Sequence, residues 1–378
     1  MIELDSSLRG LRDLCREIAP DLRARAAAVD ADPLDMAPHL DSPTLALLRA
    51  ASTPEPFRTQ DVPPHAGAYA SSCLARVVAN LELARGDAGI LSANTGPSLA
   101  GLAVDALGSD EQRDLFYRAL ADGRTWSFFG MTEERHGSDA TALETRLDRD
   151  PDGGHRLNGA KRYVANATRG TIGVVFARTG PGPLPIRAVL LRRPAPGLTG
   201  GLLEMSGLRG ACIGAMAFDE VPVTPGTVLG AHLPASRRGL WGASRAFNVM
   251  RVQIAAQALG VGYAAHDLVR ARRPGWPGGE LLRARLDGAR ALLHDVAAGI
   301  DHAPDDRRPP SVAKLHATRL ATEVVERVEH ALGPGSLLEH PLLEKWCRDV
   351  HAFEFMDGTS NILRLHIAPT GVPRPAAT

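Results

Sequence analysis

The chain has 378 residues, more than one ordinary domain of roughly 100–200 holds, so two or three packed units are expected. Its 43 basic and 43 acidic residues give a formal net charge of +0, without the basic excess that phosphate neutralisation needs, which excludes nucleic acid as the expected partner. Hydrophobic residues at 44% exclude a disordered chain; no run approaches the ~18 apolar residues of a membrane span, and the charged start MIELDSSLRGLRDL is unlike a signal peptide, so a cytoplasmic protein with no membrane partner is expected.

Residues 8–123 read as helices, with helical spacing of apolar residues in 74–83 and 112–120 and with Asp110 as an N-cap for the second. The proline-rich run 52–68 reads as a long loop. From 126 to 230 short apolar or β-branched runs (126–131, 171–177, 186–191, 215–218) alternate with Gly/Pro/Asp turns, the pattern of a β-rich domain. Helical periodicity returns after Pro234 in 245–265, 279–299 and 310–332, and the tail 369–378 reads as frayed. The fold class is α+β, divided as 1–124 helical, 125–230 β and 231–378 helical.

Cys15, Cys73, Cys212 and Cys347 lie far apart without CxxC spacing and read as buried hydrophobes, not as a zinc site or a disulfide framework. Signatures of P-loop, hydrolase-elbow, zincin and Rossmann chemistry are absent. Glu133 and His136 spell a single ExxH, whereas a di-iron carboxylate site needs two, so no metal is expected. Only Lys161, Lys314 and Lys345 are lysines, a bias that fits a GC-rich genome. The segment Phe129-Gly130-Met131-Thr132-Glu133-Glu134-Arg135-His136-Gly137-Ser138-Asp139 closes a strand with a polar turn, which either exposes N–H groups and hydroxyls to a planar ring or phosphate or is a plain hairpin turn.

Four segments in order resemble the acyl-CoA dehydrogenase family. The segment just quoted resembles its aromatic-x-(Met/Leu/Val)-Thr-Glu-x-x-x-Gly-Ser-Asp motif, and Asn158-Gly159-Ala160-Lys161-Arg162-Tyr163-Val164-Ala165-Asn166 resembles Asn-Gly-x-Lys-x-Trp-Ile-Thr-Asn. Gly207-Leu208-Arg209 with Phe218-Asp219-Glu220-Val221-Pro222-Val223 and Leu229-Gly230 resembles its Gly-x-Arg, Phe-Asp-x-Val-x-Val-Pro and Leu-Gly stretch. Arg348-Asp349 with Asp357-Gly358-Thr359-Ser360-Asn361-Ile362-Leu363-Arg364 resembles Arg-Asp and Glu-Gly-Thr-Ser-x-Ile-x-Arg. The resemblance runs from about Leu81 to Ala368 and is poor before it.

The resemblance implies an N-terminal helical domain, a central β-barrel-like domain and a C-terminal four-helix bundle, with FAD between the last two. It places Phe129, Met131, Thr132, Gly137, Ser138, Tyr163, Ala165, Thr359 and Asn361 on flavin- or thioester-contacting positions. Arg273, Trp276, His330 and Gly333 fall on positions that reach a neighbouring subunit's flavin, which implies a homodimer or homotetramer. Ser138, Phe247, Arg251, Met356, Asp357 and Gly358 fall on substrate positions. Tyr163 stands for the family's tryptophan and can still pack on a ring, whereas Ala165 replaces a threonine and cannot donate a hydrogen bond.

In most relatives a glutamate removes the α-proton of an acyl thioester while flavin N5 takes the β-hydride. The matching residue here is Asp357, one methylene shorter, and a displacement of about 1 Å can cost on the order of 10²-fold in rate. Met250 occupies the alternative base position, and Glu354 is a weaker substitute that reads as a surface residue. The resemblance thus implies an FAD-dependent dehydrogenase of acyl-CoA or an acyl group on a carrier protein. Its catalytic base would be Asp357, and electron-transfer flavoprotein or O2 its electron acceptor, in a specialised pathway such as secondary metabolism. Two alternatives stay open: an enzyme like nitroalkane oxidase or flavin monooxygenase, and a non-catalytic partner subunit in which Asp357 is only a turn residue.

Overall fold

The computed structural model describes residues 2–151 and 153–368; the tail 369–378 lies outside the described residues. In the N-terminal part, α1 (Ser6–Ala31) is capped by the Asp5 carboxylate and buries Leu11, Cys15, Leu22, Ala26 and Val29 along one stripe. It is followed by α2 (Pro43–Ser52), α3 (Cys73–Ala84), α4 (Ala88–Ala93), α5 (Ser98–Leu107) and α6 (Asp110–Ala119). Every residue of α3 is buried, because it is covered by α1 on one side and by the C-terminal helices on the other. The cap of α6 is Ser109 and not Asp110: Ser109 and Gln112 form a reciprocal capping box, with Asp110 as the first helical residue. Within 52–68 the chain makes short 3-10 turns, Glu55–Phe57 and the start of Pro64–Ala70, where proline presets the backbone angle.

Eight strands form one sheet: β1 (Ser127–Gly130), β2 (Arg146–Arg149), β3 (His155–Val164), β4 (Ile172–Arg178), β5 (Ile186–Arg192), β6 (Leu198–Leu202), β7 (Gly214–Val223) and β8 (Val228–Leu229). The order is β6-β7-β3-β2-β4-β5-β8, with β1 parallel to β4. Alternation sorts the central strands onto two cores. Val175, Ala177, Val189 and Leu191 join Phe128, Leu157, Met216 and Val221 inside the curl of the sheet, while Ile172, Val174, Phe176, Ala188 and Leu190 pack outward on α5, α6 and the start of the next helix.

That helix, α7 (Leu240–Arg272), has 33 residues and is about 50 Å long. It is followed by α8 (Gly278–His302), α9 (Arg308–Leu332), α10 (Ser336–Glu339), α11 (Pro341–Ala352) and α12 (Ser360–Ile367). Helix α7 lies against α3, α8 and α9, so its middle is buried on all sides. The approach to α3 needs Gly260, since a Cβ there would stand 2.5 Å from the Leu81 carbonyl. Leu259, fully buried beside it, would leave a cavity costing about 2–5 kcal/mol if cut to alanine. Among the described residues no helix is long and apolar enough to cross a membrane.

Candidate functional site

Three elements converge where the β domain meets the bundle. Phe129 at the end of β1 touches Phe176 of β4 (ring centroids 5.2 Å) and Phe247 of α7 (5.6 Å, edge to face), which fixes the end of β1 against the first turns of α7. One turn on, Arg251 lies over Phe247 and sends its Nε to the Asp357 carbonyl at 2.9 Å. Arg251 is 6% exposed, and burial pushes its guanidinium down to about 10 although Asp357 pulls it up. Phe129, Phe247, Arg251 and the 356–358 turn are therefore neighbours, as are Met131 and Thr132, which continue β1.

Asp357 stands at φ +50 and Gly358 at φ +108, two successive residues in the left-handed region. Glycine adopts that conformation freely and aspartate tolerates it better than most residues. Two buried cations hold the turn by its carbonyls: Arg251 on Asp357 and Lys314, from α9, on Gly358 at 2.7 Å. Among the described residues no hydrogen bond or ion pair reaches either Asp357 carboxylate oxygen. Burial raises its pKa above the ordinary value of 3.8, with Lys314 and Arg251 pulling the other way. A carboxylate with free lone pairs, a raised pKa and nearby positive charge can accept a proton.

Glu354 contrasts with it. Its carboxylate takes the Ser360 N–H at 3.0 Å and the Ser360 hydroxyl, so it caps α12 and is a structural residue, not the surface residue its sequence suggests. Met356 packs on the bundle core, and Thr359 is the N-cap position of α12 without a side-chain cap bond. Asn361 is exposed and accepts from Arg364.

The turn after β1 is shaped by Glu133, whose carboxylate takes Lys161 Nζ at 2.7 Å, the backbone N–H groups of Glu144 and Thr145, and the Thr145 hydroxyl. Lys161 also reaches the Met131 carbonyl, and burial lowers its pKa to about 8. The Arg162 N–H donates to the Thr132 carbonyl at 2.8 Å, so the turn is tied to β3. Gly137 and Ser138 are left exposed on it. Beyond it Tyr163, at φ +57, has 56% of its surface exposed, with Ala165 half-buried near by. An exposed aromatic face beside an open polar turn fits a planar flavin ring.

Arg273, Trp276, His330 and Gly333 are not brought to this place within the protomer. Arg273 follows the end of α7, 22 residues from Arg251 and so about 33 Å along the helix. Arg273 and His330 are exposed, Gly333 has open space around its Cα, and the Trp276 ring folds back on the first turn of α8. Lys314 and the Glu133–Lys161 pair were not singled out from the sequence for these roles; nor was a buried triad that ties the domains together, in which Lys345 contacts Asp87 at 2.7 Å and Asp349 at 2.6 Å. Asp349 also accepts the Leu208 N–H, so the Arg-Asp segment is architectural.

Comparison with known proteins agrees with this architecture. Residues 128–221 match the acyl-CoA dehydrogenase middle domain and residues 281–371 match the acyl-CoA dehydrogenase C-terminal domain. The human mitochondrial short-chain specific acyl-CoA dehydrogenase is 28% identical over 389 aligned positions, covering 97% of this chain and 90% of that one, which extends the likeness into the first eighty residues. Butyryl-CoA dehydrogenase from Megasphaera elsdenii superposes with a TM-score of 0.83 at 23% identity, covering 97% and 98% of the two chains. A prolyl acyl carrier protein oxidase superposes with a TM-score of 0.81 at 22% identity, covering 97% and 98%. The chain thus carries acyl-CoA dehydrogenase middle and C-terminal domains in order, aligns over nearly all of its length with an acyl-CoA dehydrogenase, and is an oxidoreductase of that type.

Proposed function

We propose that the protein oxidises an acyl thioester, acyl-CoA or an acyl group on a carrier protein, between its α and β carbons, with Asp357 as the base. The observation that carries the reading is the Asp357 carboxylate: half-buried, raised in pKa, held at its backbone and, among the described residues, free at both oxygens. FAD, when bound, supplies the acceptor for the β-hydride at N5. Phe129, Met131, Thr132, Gly137, Ser138, Tyr163 and Ala165 would hold it from the β domain, with Thr359 and Asn361 beside the base. Arg273, Trp276, His330 and Gly333 would come from a second subunit, because about 33 Å of helix separates Arg273 from its own protomer's Arg251. A homodimer, or a homotetramer built of such dimers, follows.

Asp357 takes the α-proton, and its own N–H polarises the thioester carbonyl, so that negative charge arising at the α carbon is spread onto that oxygen. Ser138, Phe247, Met356 and Gly358 line the path of the thioester, and Arg251 orients the turn. The surrounding aromatic and aliphatic side chains exclude water. The electron acceptor is electron-transfer flavoprotein or O2, and the protein works in the cytoplasm. Aspartate in the place of the family's glutamate favours a second reading, nitroalkane oxidation, since a nitroalkane carries a more acidic C–H bond.

Anaerobic flavin bleaching tests both. Asp357→Asn should lower the bleaching rate with an acyl-CoA by at least about 10²-fold. A wild-type rate in that variant overturns Asp357 as base, and bleaching by a nitroalkane alone moves the substrate to the second reading. A purified protein without visible flavin bands would instead mark a non-catalytic partner subunit.

A further inference from the structure

The three lysines are the only non-arginine cations among 43 basic residues, and all three are buried, at 1%, 1% and 3% exposure for Lys161, Lys314 and Lys345. The exposed basic side chains are therefore arginines, and lysine occurs only inside the protein. Lys161 and Lys345 sit in direct contact with carboxylates. Lys314 does not: its Nζ donates to the Gly358 carbonyl at 2.7 Å, and among the described residues it makes no ion pair. A buried ammonium with a neutral contact partner is expensive, so its charge has to be compensated from a distance. The carboxylates that act on it are Asp357 first and Glu354 second, while Arg251 of α7 opposes.

We propose that Lys314 is the positioning residue of the Asp357 base: anchored to the Gly358 carbonyl, it holds the left-handed 357–358 turn and sets a positive charge beside the carboxylate without occupying either oxygen. The inference rests on the reading of Asp357 as base and deepens it. A contact ion pair would take the lone pair that must receive the α-proton and would hold the carboxylate ionised too firmly to accept it. An ammonium tethered one residue away offsets the burial of the carboxylate and leaves its geometry open. The charged and titratable groups around the turn are Arg251 from α7, Lys314 from α9, Glu354 from the segment after α11 and, facing Arg251, Arg307 ahead of α9 and His366 on α12. His366 is pushed down to about 4, chiefly by burial and then by Arg251 and Arg307, so it adds no positive charge at neutral pH. Lys314 itself is lowered to about 8 by burial and remains mostly charged at pH 7.

The test uses Lys314→Gln, which keeps a donor and loses the charge, and Lys314→Arg, which keeps both, in the FAD-loaded protein. The first readout is the pH profile of anaerobic flavin reduction. Lys314→Gln should move its acidic limb up by on the order of one pH unit, which is about a tenfold loss of rate at pH values below the limb, whereas Lys314→Arg should stay within twofold of wild type. The second readout needs no substrate: the pH dependence of unfolding, wild type minus Asp357→Asn, reports the carboxyl titration. Because the folded pKa is raised, the stability difference is lost as pH rises from the ordinary 3.8 through the folded value, and the end of that window should move up by a similar amount in the Lys314→Gln background. Unchanged profiles in both readouts overturn the proposal. Should Asp357→Asn keep its reduction rate, the base reading fails while the unfolding readout still decides for or against Lys314. If Lys314→Gln does not fold, a Lys314→Arg protein with wild-type stability and a tenfold slower reduction would count against it, because charge and tether are then both present.

Discussion

Two buried lysines, both lowered to about 8 by burial, serve opposite ends of the site in different ways. Lys161 touches Glu133, and that carboxylate is saturated: it accepts from Lys161, from two backbone N–H groups and from a hydroxyl. Among the described residues Lys314 touches only a carbonyl, and the carboxylate beside it accepts nothing. Burial opposes ionisation of Glu133, yet Lys161 and the other donors hold its carboxyl below the ordinary value, whereas burial wins at Asp357. Contact pairing turns an acid into architecture; charge held one residue away leaves it able to receive a proton.

The contrast is broken most severely at Glu133. Glu133→Ala leaves Lys161, 1% exposed, as a buried ammonium without a counter-charge, which should cost about 3–5 kcal/mol of unfolding free energy and loosen the 133–145 turn. Asp357→Asn should differ. It removes a carboxylate whose ionised form burial disfavours and, with it, the distant counter-charge of Lys314 and Arg251, two opposing effects that should leave the denaturation midpoint at pH 7 close to wild type while flavin reduction collapses. Denaturant titration of the two variants side by side checks the pair, and a stability loss in Asp357→Asn comparable to that in Glu133→Ala would abolish the distinction.

The next effect concerns a buried base instead of a buried acid. His294 on α8 is 9% exposed and is pushed down to about 4, chiefly by burial and then by Arg290, against Asp295. The unfolded chain binds a proton near 6.5, so stability is fully present above that value and is lost as pH falls toward 4, by up to roughly 3 kcal/mol in all. His294→Leu should flatten that part of the stability profile. An acid limb of unchanged steepness would show that other groups, such as the equally lowered His366, dominate it.

A smaller effect is expected at the exposed cation on the far end of α7. Removing one charge-assisted phosphate contact with Arg273→Ala should cost about 1.5–3 kcal/mol in flavin retention while leaving the fold intact. Flavin occupancy after dialysis measures it. Full occupancy in the variant would mean that Arg273 does not reach a neighbouring subunit's cofactor.

The sequence reveals the layer order because each layer writes its own period. β4 and β5 are apolar on both faces and read as continuous runs, since one face meets the sheet core and the other meets α5 and α6. β2, Arg-Leu-Asp-Arg, turns only Leu147 inward and is invisible as a run. α7 starts five residues before the periodic segment, because Gly239 at φ +49 breaks the chain just ahead of Leu240. The positions of Phe129, Phe247, Arg251 and Asp357 followed from motif resemblance, and the structure brings those four together. What the motifs do not encode is pairing: Glu133 and Lys161 are 28 residues apart, and Lys314 lies outside every motif. The scarcity of lysine was legible, but its meaning needed burial, which no local pattern carries.

The smallest expected effect separates the two carboxylates that stand three residues apart. Glu354 has one oxygen on the Ser360 N–H and the other on the Ser360 hydroxyl, so both oxygens are engaged in the cap of α12. Glu354→Gln keeps one carbonyl oxygen for the backbone N–H and turns the hydroxyl contact into a neutral one, a loss of about 0.5–1.5 kcal/mol at the start of α12. Because Glu354 also acts on Lys314, the acidic limb of flavin reduction should shift only slightly, and the plateau rate should stay within about twofold of wild type. Stopped-flow bleaching with the same acyl-CoA used for Asp357→Asn makes the comparison direct. A collapse of the plateau in Glu354→Gln, with Ser360→Ala harmless, would mean that the capping bonds yield when substrate binds and that Glu354 is the base. If Ser360→Ala and Glu354→Gln instead lower stability together and leave the plateau alone, the cap is the whole of its role and Asp357 keeps the proton.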